Sequence, residues 1–247
     1  MIETMQAHFH AKRALVTGAG KGIGQAVSMA LRGAGAEVIA LSRDPADLRK
    51  LEEQGCMTIC LDLTDFVAIE RMLEELDPVD FLVNNAGVSF PEPFLETNFG
   101  KFQETLAINT SAAFLVSQCV ARRQVEAGKR GSIVHVSSQA SQVGLADHAA
   151  YCASKGALDQ IMRVMALELG LHGIRVNCVN PTVTLTPLGR RAWSDPQKRD
   201  EMQAKIPLGR FAETDEVVQA ILFLLGDDSS MIHGATVPVD GGFLAVR

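Results

Sequence analysis

Eight residues, Thr17-Gly18-Ala19-Gly20-Lys21-Gly22-Ile23-Gly24, set four glycines between a β-type run, Ala14–Thr17, and an amphipathic helical run that continues through roughly Arg32. Glycines at such a junction let the backbone turn tightly and approach a pyrophosphate, which the helix N-terminus holds through free N–H groups and its dipole. Lys21 is followed by Gly22 rather than Ser or Thr, which excludes the phosphate loop of nucleoside triphosphatases. Ile23 stands where the GxGxxG register needs its third glycine. The pattern is TGxxxGxG, and its strand–turn–helix setting favours dinucleotide binding over a purely structural turn.

The rest of the chain repeats this alternation. Short β-type runs at Ala14–Thr17, Glu37–Leu41, Met57–Leu61, Phe81–Val83, Ile133–Val136, Arg175–Val179 and Thr236–Val239 are separated by helical runs. Parallel neighbours need crossovers, and crossovers are right-handed, so the expectation is an α/β, doubly wound, Rossmann-type fold: one domain over residues 1–247, with a seven-stranded parallel sheet flanked by helices. A chain of 247 residues with 47% hydrophobic and 21% charged residues suits one soluble core. No apolar stretch reaches the ~18–20 residues that span a bilayer. Met1–Lys12 lacks the apolar core of a secretory signal, so the chain reads as cytoplasmic, with no membrane partner. A net charge of −6 argues against a nucleic-acid partner, and the cluster Arg122, Arg123, Lys129 and Arg130 reads as a solvated helix end. Five cysteines without paired CxxC spacing read as reduced, mostly core thiols, Cys152 being the one open to access, and nothing points to a metal.

Along the first half, strand ends carry the informative residues. The second strand ends in Ser42-Arg43-Asp44, where an acidic residue would bond ribose hydroxyls and an arginine would accommodate a 2′-phosphate. Asp44-Pro45 also reads as a helix N-cap followed by proline, the larger share of its role. Asp62, after the third strand, either reaches an adenine edge or caps a helix over Asp65–Leu76. Asn84-Asn85-Ala86-Gly87 supplies small and amide residues against which a flat cofactor can lie. A helical run from Phe102 to Gln124 carries Asn109 in its apolar middle, where a buried amide either ties two elements together or holds water.

Catalytic chemistry concentrates between Ser138 and Lys155. Tyr151, the sole tyrosine, and Lys155 are four apart ahead of the apolar positions Leu158, Ile161, Met165 and Leu169, so they share one helix face. A phenol titrates near ~10, and a neighbouring ammonium is expected to lower that value and make the pair an acid/base catalyst. Ser138 follows a strand, placed to orient a carbonyl or hydroxyl. After Asn180-Pro181-Thr182 about thirty residues, near 184–213, carry only short helical patterns and the sole tryptophan, Trp193. They read either as a lid over substrate or as a surface excursion anchored by Trp193.

TGAGKGIG at Thr17–Gly24, NNAG at Asn84–Gly87, Asn109, Ser138 and Tyr151-x-x-x-Lys155, in this order, resemble the short-chain dehydrogenase/reductase family across nearly the whole chain. Val136–Ser141, Asn180–Val183 and Trp193–Pro196 resemble its L-xylulose (dicarbonyl/carbonyl) reductase branch, with Thr182 where the wider family usually has glycine. The resemblance implies an NADP(H)-dependent reductase in which Tyr151 gives a proton to the carbonyl oxygen, Lys155 lowers its pKa and binds the nicotinamide ribose, Ser138 holds the oxygen and Asn109 a relay water. It implies cofactor contacts at Gly18, Lys21, Gly22, Ile23, Gly24, Ser42, Arg43, Asp62, Leu63, Asn85, Ala86, Gly87, Tyr151, Lys155, Thr184 and Thr186. Substrate contacts would be Ser138, Gln139, His148, Tyr151 and Trp193, and the assembly a homotetramer built partly from the helices beginning near Lys101 and at Tyr151. The expected substrate is a small carbonyl, a ketose such as L-xylulose or an α-dicarbonyl. The alternatives are reduction of carrier-bound 3-oxoacyl groups or another polyol or alcohol dehydrogenase of the family, and, in a different class, a non-catalytic dinucleotide-binding redox sensor.

Overall fold

A computed structural model describes residues 8–246. Seven parallel strands form one sheet: β1 (Arg13–Thr17), β2 (Glu37–Ser42), β3 (Met57–Cys60), β4 (Phe81–Asn84), β5 (Gly131–Val136), β6 (Ile174–Pro181) and β7 (Thr236–Val239), ordered β3-β2-β1-β4-β5-β6-β7. Each falls where the β-type runs place it, with ends shifted by up to two residues. The chain winds outward from β1 to β3, returns to β4, and winds the other way to β7. The ends of β1 and β4 therefore flank the point where the winding reverses, the crevice in which open α/β sheets take ligands.

Buried strand residues alternate between faces, as a pleat requires. Val16, Ala40, Val83 and Val134 pack against α1 (Gly22–Gly33), α2 (Pro45–Glu53) and α9 (Thr214–Leu225). Leu15, Leu41, Leu82 and Ile133 pack against α3 (Phe66–Glu75), α5 (Ala113–Glu126) and α6 (Ala149–Leu169). Both sheet faces are covered.

Three local expectations change. The run expected as one helix from Phe102 begins at Phe99, where Asn98 caps α4 (Phe99–Leu106), and is interrupted by a π-helical segment, Ala107–Ala112, before α5. Such wide turns inside helices recur at functional sites, and this one holds Asn109. The helix after β3 is capped by Asp65, which accepts from Ala68 N–H, whereas Asp62 closes its own turn by accepting from the N–H and hydroxyl of Thr64, both at 2.9 Å. Only Cys56 and Cys178 of the free cysteines are core residues, and Cys60 is exposed. No helix among the described residues is long and apolar enough to cross a membrane.

The segment at 184–213 folds into α7 (Pro187–Ala192) and α8 (Pro196–Gln203), each opened by proline and capped by Thr186 or Asp195. Trp193, partly buried, lies edge-on to Phe211 at 5.3 Å and belongs to a small apolar cluster with Ile206 and Phe243. Trp193 is thus an anchor of this segment.

Candidate active site

A groove of about 790 Å³ runs from the Gly-rich turn across the tips of β2 and β3 to the start of α7. Its wall includes Gly18, Lys21, Gly22, Ile23, Ser42, Arg43, Asp62, Leu63, Asn85, Ala86, Gly87 and Thr186. Of the residues expected to hold a dinucleotide, Gly24, Tyr151, Lys155 and Thr184 are not on the wall. Gly24 is buried beneath the turn, where a Cβ would lie 2.3 Å from Asn85 Nδ2 and from Gly18 O. Thr184 donates its hydroxyl to Thr182 O at 3.1 Å and bridges to Ala212, a framework role. Gly18, at φ +62°, could not carry a Cβ, which would meet Ala86 Cα at 2.7 Å.

The groove suits a dinucleotide on its own chemistry. The N-terminus of α1 has no side-chain cap, which leaves its first N–H groups available to an anion. Thr17, overlooked in the sequence, accepts through Oγ1 from the N–H groups of Asn85 and Ala86 at 3.1 and 3.2 Å, while Asn85 Nδ2 donates to the carbonyls of Thr17 and Gly18, so the β1 and β4 tips are braced together. Asp44 caps α2 by accepting from Ala46 N–H at 2.9 Å, the structural role its sequence favoured. A further residue not found from sequence is Asp47, whose carboxylate pairs with Lys21 Nζ at 2.9 Å. Its only signal was an acid in the first turn of α2. Arg43 makes no ion pair within 4 Å among the described residues. Two of the four basic side chains expected to be solvated are tied down: Arg123 donates to Glu74 O and Lys129 to Pro78 O.

Tyr151 lies in the first turn of α6 and Lys155 one turn on, its ammonium 5.7 Å from the phenol ring centroid. Ser138 is extended, at φ −167°, just after β5. Its Oγ accepts from Ala140 N–H at 3.1 Å, and its side chain stands by the Tyr151 phenol, on which it acts against the effect of burial. The expectation that Lys155 lowers the phenol pKa is overturned. Burial raises Tyr151 above the ordinary phenol value, and Ser138 is the group that offsets this. Lys155 instead donates to Val136 O at 2.8 Å, and burial pushes it down to about 8. His135, buried next to this lysine, is pushed down to about 3, first by desolvation and then by the Lys155 charge, so its imidazole is neutral.

Asn109 is fully buried, accepts from Val88 N–H at 2.8 Å and donates to Val88 O at 2.9 Å and Ser154 Oγ at 3.0 Å. It therefore ties the π-helical segment to the loop after β4 and to α6. Of the expected substrate residues, Gln139 is buried with its Oε1 unpartnered, beside Ser138. His148 donates Nδ1 to Ala146 O at 2.6 Å and stands edge-on to Tyr151 at 6.3 Å. Trp193 stands edge-on to Phe211 and under Lys198 Nζ.

A Gly-rich turn at the reversal of a doubly wound parallel sheet, with serine after β5 and tyrosine and lysine one turn apart on α6, defines a dinucleotide-linked oxidoreductase architecture. The chain belongs to the short-chain dehydrogenase/reductase family. A family model described as Enoyl-(Acyl carrier protein) reductase matches residues 18–244. L-xylulose reductase of Bos taurus is 56% identical over 98% of this chain and 100% of that protein. Carbonyl reductase [NADPH] 2 of Sus scrofa is 47% identical over 98% and 100%. The crystal structure of a gluconate 5-dehydrogenase from Burkholderia cenocepacia J2315 in complex with NADP and tartrate matches with a TM-score of 0.90 at 27% identity, covering 99% of this chain and 98% of that one. With these relatives the chain is an oxidoreductase, a carbonyl reductase of the family.

Proposed function

We propose that the chain uses NADPH to reduce a small carbonyl, a ketose such as L-xylulose or an α-dicarbonyl, to its alcohol. The observation that carries this reading is Ser138, just after β5, facing Tyr151 in the first turn of α6, one turn from a buried lysine. A phenol raised above its ordinary value stays protonated near neutral pH, which suits a proton donor in the reductive direction. Ser138 would hold the carbonyl oxygen, Tyr151 would give it a proton, and Lys155, still mostly charged at neutral pH with a value of about 8, would bind ribose hydroxyls and favour charge developing on the phenol oxygen. Asn109 would support a relay to Lys155. Gly18, Lys21, Gly22, Ile23, Asn85, Ala86, Gly87 and Thr186 would cradle the dinucleotide, with Ser42, Arg43, Asp62 and Leu63 around the adenosine. When bound, the dinucleotide supplies the hydride. The names of the bovine and porcine relatives support the substrate class and the cofactor.

The family model's description favours a second reading, a carrier-linked acyl substrate. An acidic carrier would dock on a basic face, and the engagement of Arg123 and Lys129 with backbone carbonyls speaks against one here. Assembly as a homotetramer is also proposed, supported by the exposed Phe99 and Phe114 on α4 and α5 and Val164 and Leu167 on α6; light scattering on the eluted protein tests it. The deciding experiment is cofactor absorbance with L-xylulose, diacetyl and an acetoacetyl thioester. Turnover on the first two supports the proposal, turnover on the thioester alone supports the second reading, and no turnover on any would favour a binding protein.

A further inference from the structure

Asp159 is 2% exposed, lies one turn after Lys155 on α6, and has no lysine or arginine within ion-pair distance among the described residues. A buried carboxylate without a cation is costly unless its oxygens are hydrogen bonded. Asp159 Oδ2 accepts from Ser141 Oγ at 2.6 Å and from Asn180 Nδ2 at 3.0 Å. Both donors also reach the backbone of Ser138: Asn180 Nδ2 lies 3.0 Å from Ser138 O, and Ser141 Oγ lies 2.9 Å from the same oxygen. Asn180 and Ser141 are themselves 2.8 Å apart. One carboxylate thus gathers the end of β6 and the turn after β5 onto α6.

The spacing gives this a consequence for the reaction. Tyr151, Lys155 and Asp159 recur every four residues and so lie along one helix face. The proton donor and the clamp are therefore parts of one rigid element, while Ser138 arrives from a separate strand. We propose that Asp159 is a positioning residue for carbonyl reduction: through Ser141 and Asn180 its carboxylate fixes the Ser138 backbone to the helix that bears Tyr151 and Lys155, and so sets the Ser138–Tyr151 geometry. The proposal rests on the reading that Ser138 and Tyr151 act on the substrate oxygen. The charge of Asp159 also works against burial to keep Lys155 protonated.

The test compares Asp159→Leu, which keeps the count and branching of the side-chain heavy atoms and removes both acceptor oxygens, with Asp159→Asn, which keeps one, in the full chain. Each is measured for NADPH affinity by titration and for kcat and KM on the carbonyl that the wild type turns over. A misplacement of about 1 Å can cost roughly 10²-fold, so Asp159→Leu should lower kcat about that much while NADPH affinity stays within about twofold. Asp159→Asn should recover kcat to within about tenfold of wild type. Wild-type kcat in Asp159→Leu, a loss confined to KM or NADPH affinity, or an asparagine no better than the leucine would each overturn it. If Asp159→Leu does not fold, Ser141→Ala decides, since it removes one donor and leaves the carboxylate; unchanged kcat there overturns the proposal. A wild type inert on every carbonyl would instead sink the underlying reading, and this inference with it.

Discussion

Asn109 and Val88 exchange two hydrogen bonds, the side-chain amide of one satisfying both backbone groups of the other at 2.8 and 2.9 Å. The amide thereby stands in for a strand neighbour where β4 has ended, and the π-helical segment of Ala107–Ala112 presents it there. Asn109→Ala leaves Val88 N–H and C=O without these partners, at about 1–3 kcal/mol. For a chain of this size each kcal/mol is roughly 2–4 °C, so calorimetry should show a loss of several degrees alongside reduced turnover. An unchanged melting temperature would mean the tie contributes nothing.

Tyr151→Phe removes the acid but no part of the groove wall. Turnover should fall by ~10²–10⁴-fold, while NADPH titration should give wild-type affinity. More than a tenth of wild-type activity would contradict the assignment of the proton donor.

Lys155 carries a pH signature. Its folded value, about 8, lies below the ~10.4 of an unfolded lysine. Between these values the folded state binds fewer protons than the unfolded one, so stability rises with pH, by up to ~1.4 kcal/mol per unit. Lys155→Met has no such group. Denaturation of both proteins from pH 7 to 10 should show the wild type gaining on the variant above pH 8, and a constant difference would place the lysine in water. The same variant should lose both turnover and NADPH affinity.

Trp193 is tied to Phe211 at 5.3 Å and covered by Lys198 Nζ at 4.9 Å. If its segment also covers substrate, Trp193→Ala should raise KM more than it lowers kcat, the mark of lost uniform binding. Equal losses in kcat and kcat/KM would place the ring in transition-state stabilisation.

The sheet, the Gly-rich turn and the Tyr151–Lys155 pair were legible because each is encoded by local spacing. Leu15 and Val16 announce their opposite faces by alternation alone. The π-helical segment was not, since one extra residue in a turn barely disturbs the apolar period around Asn109. Nor was the direction of the phenol pKa: helical spacing sets Lys155 near Tyr151, but the Val136 carbonyl that draws its ammonium away belongs to β5. Asp159 and Asp47 were invisible for the same reason, because their partners come from other elements. The deep burial of Asp159 has no trace in an otherwise ordinary amphipathic run.

Cofactor preference brings sequence and structure together at Arg43. An arginine after β2 was expected to accommodate a 2′-phosphate, and the other cation among the expected cofactor contacts, Lys21, is already engaged by Asp47 at 2.9 Å. Asp44 caps α2 and Asp62 closes its own turn, each through Oδ1, which ties both carboxylates to local N–H groups. Arg43, exposed on the groove wall beside Ser42, is the charge that the proposed use of NADPH assigns to the 2′-phosphate. A charge-assisted contact contributes roughly 1.5–3 kcal/mol, so Arg43→Ala should weaken NADPH about ten- to a hundredfold, at ~1.4 kcal/mol per decade. NADH affinity should barely move. Ser42→Asp combined with Arg43→Ala should reverse the preference, because the new carboxylate would repel the phosphate and accept from ribose hydroxyls. Titration of the unmodified protein with both cofactors decides the point, and tighter binding of NADH would overturn it.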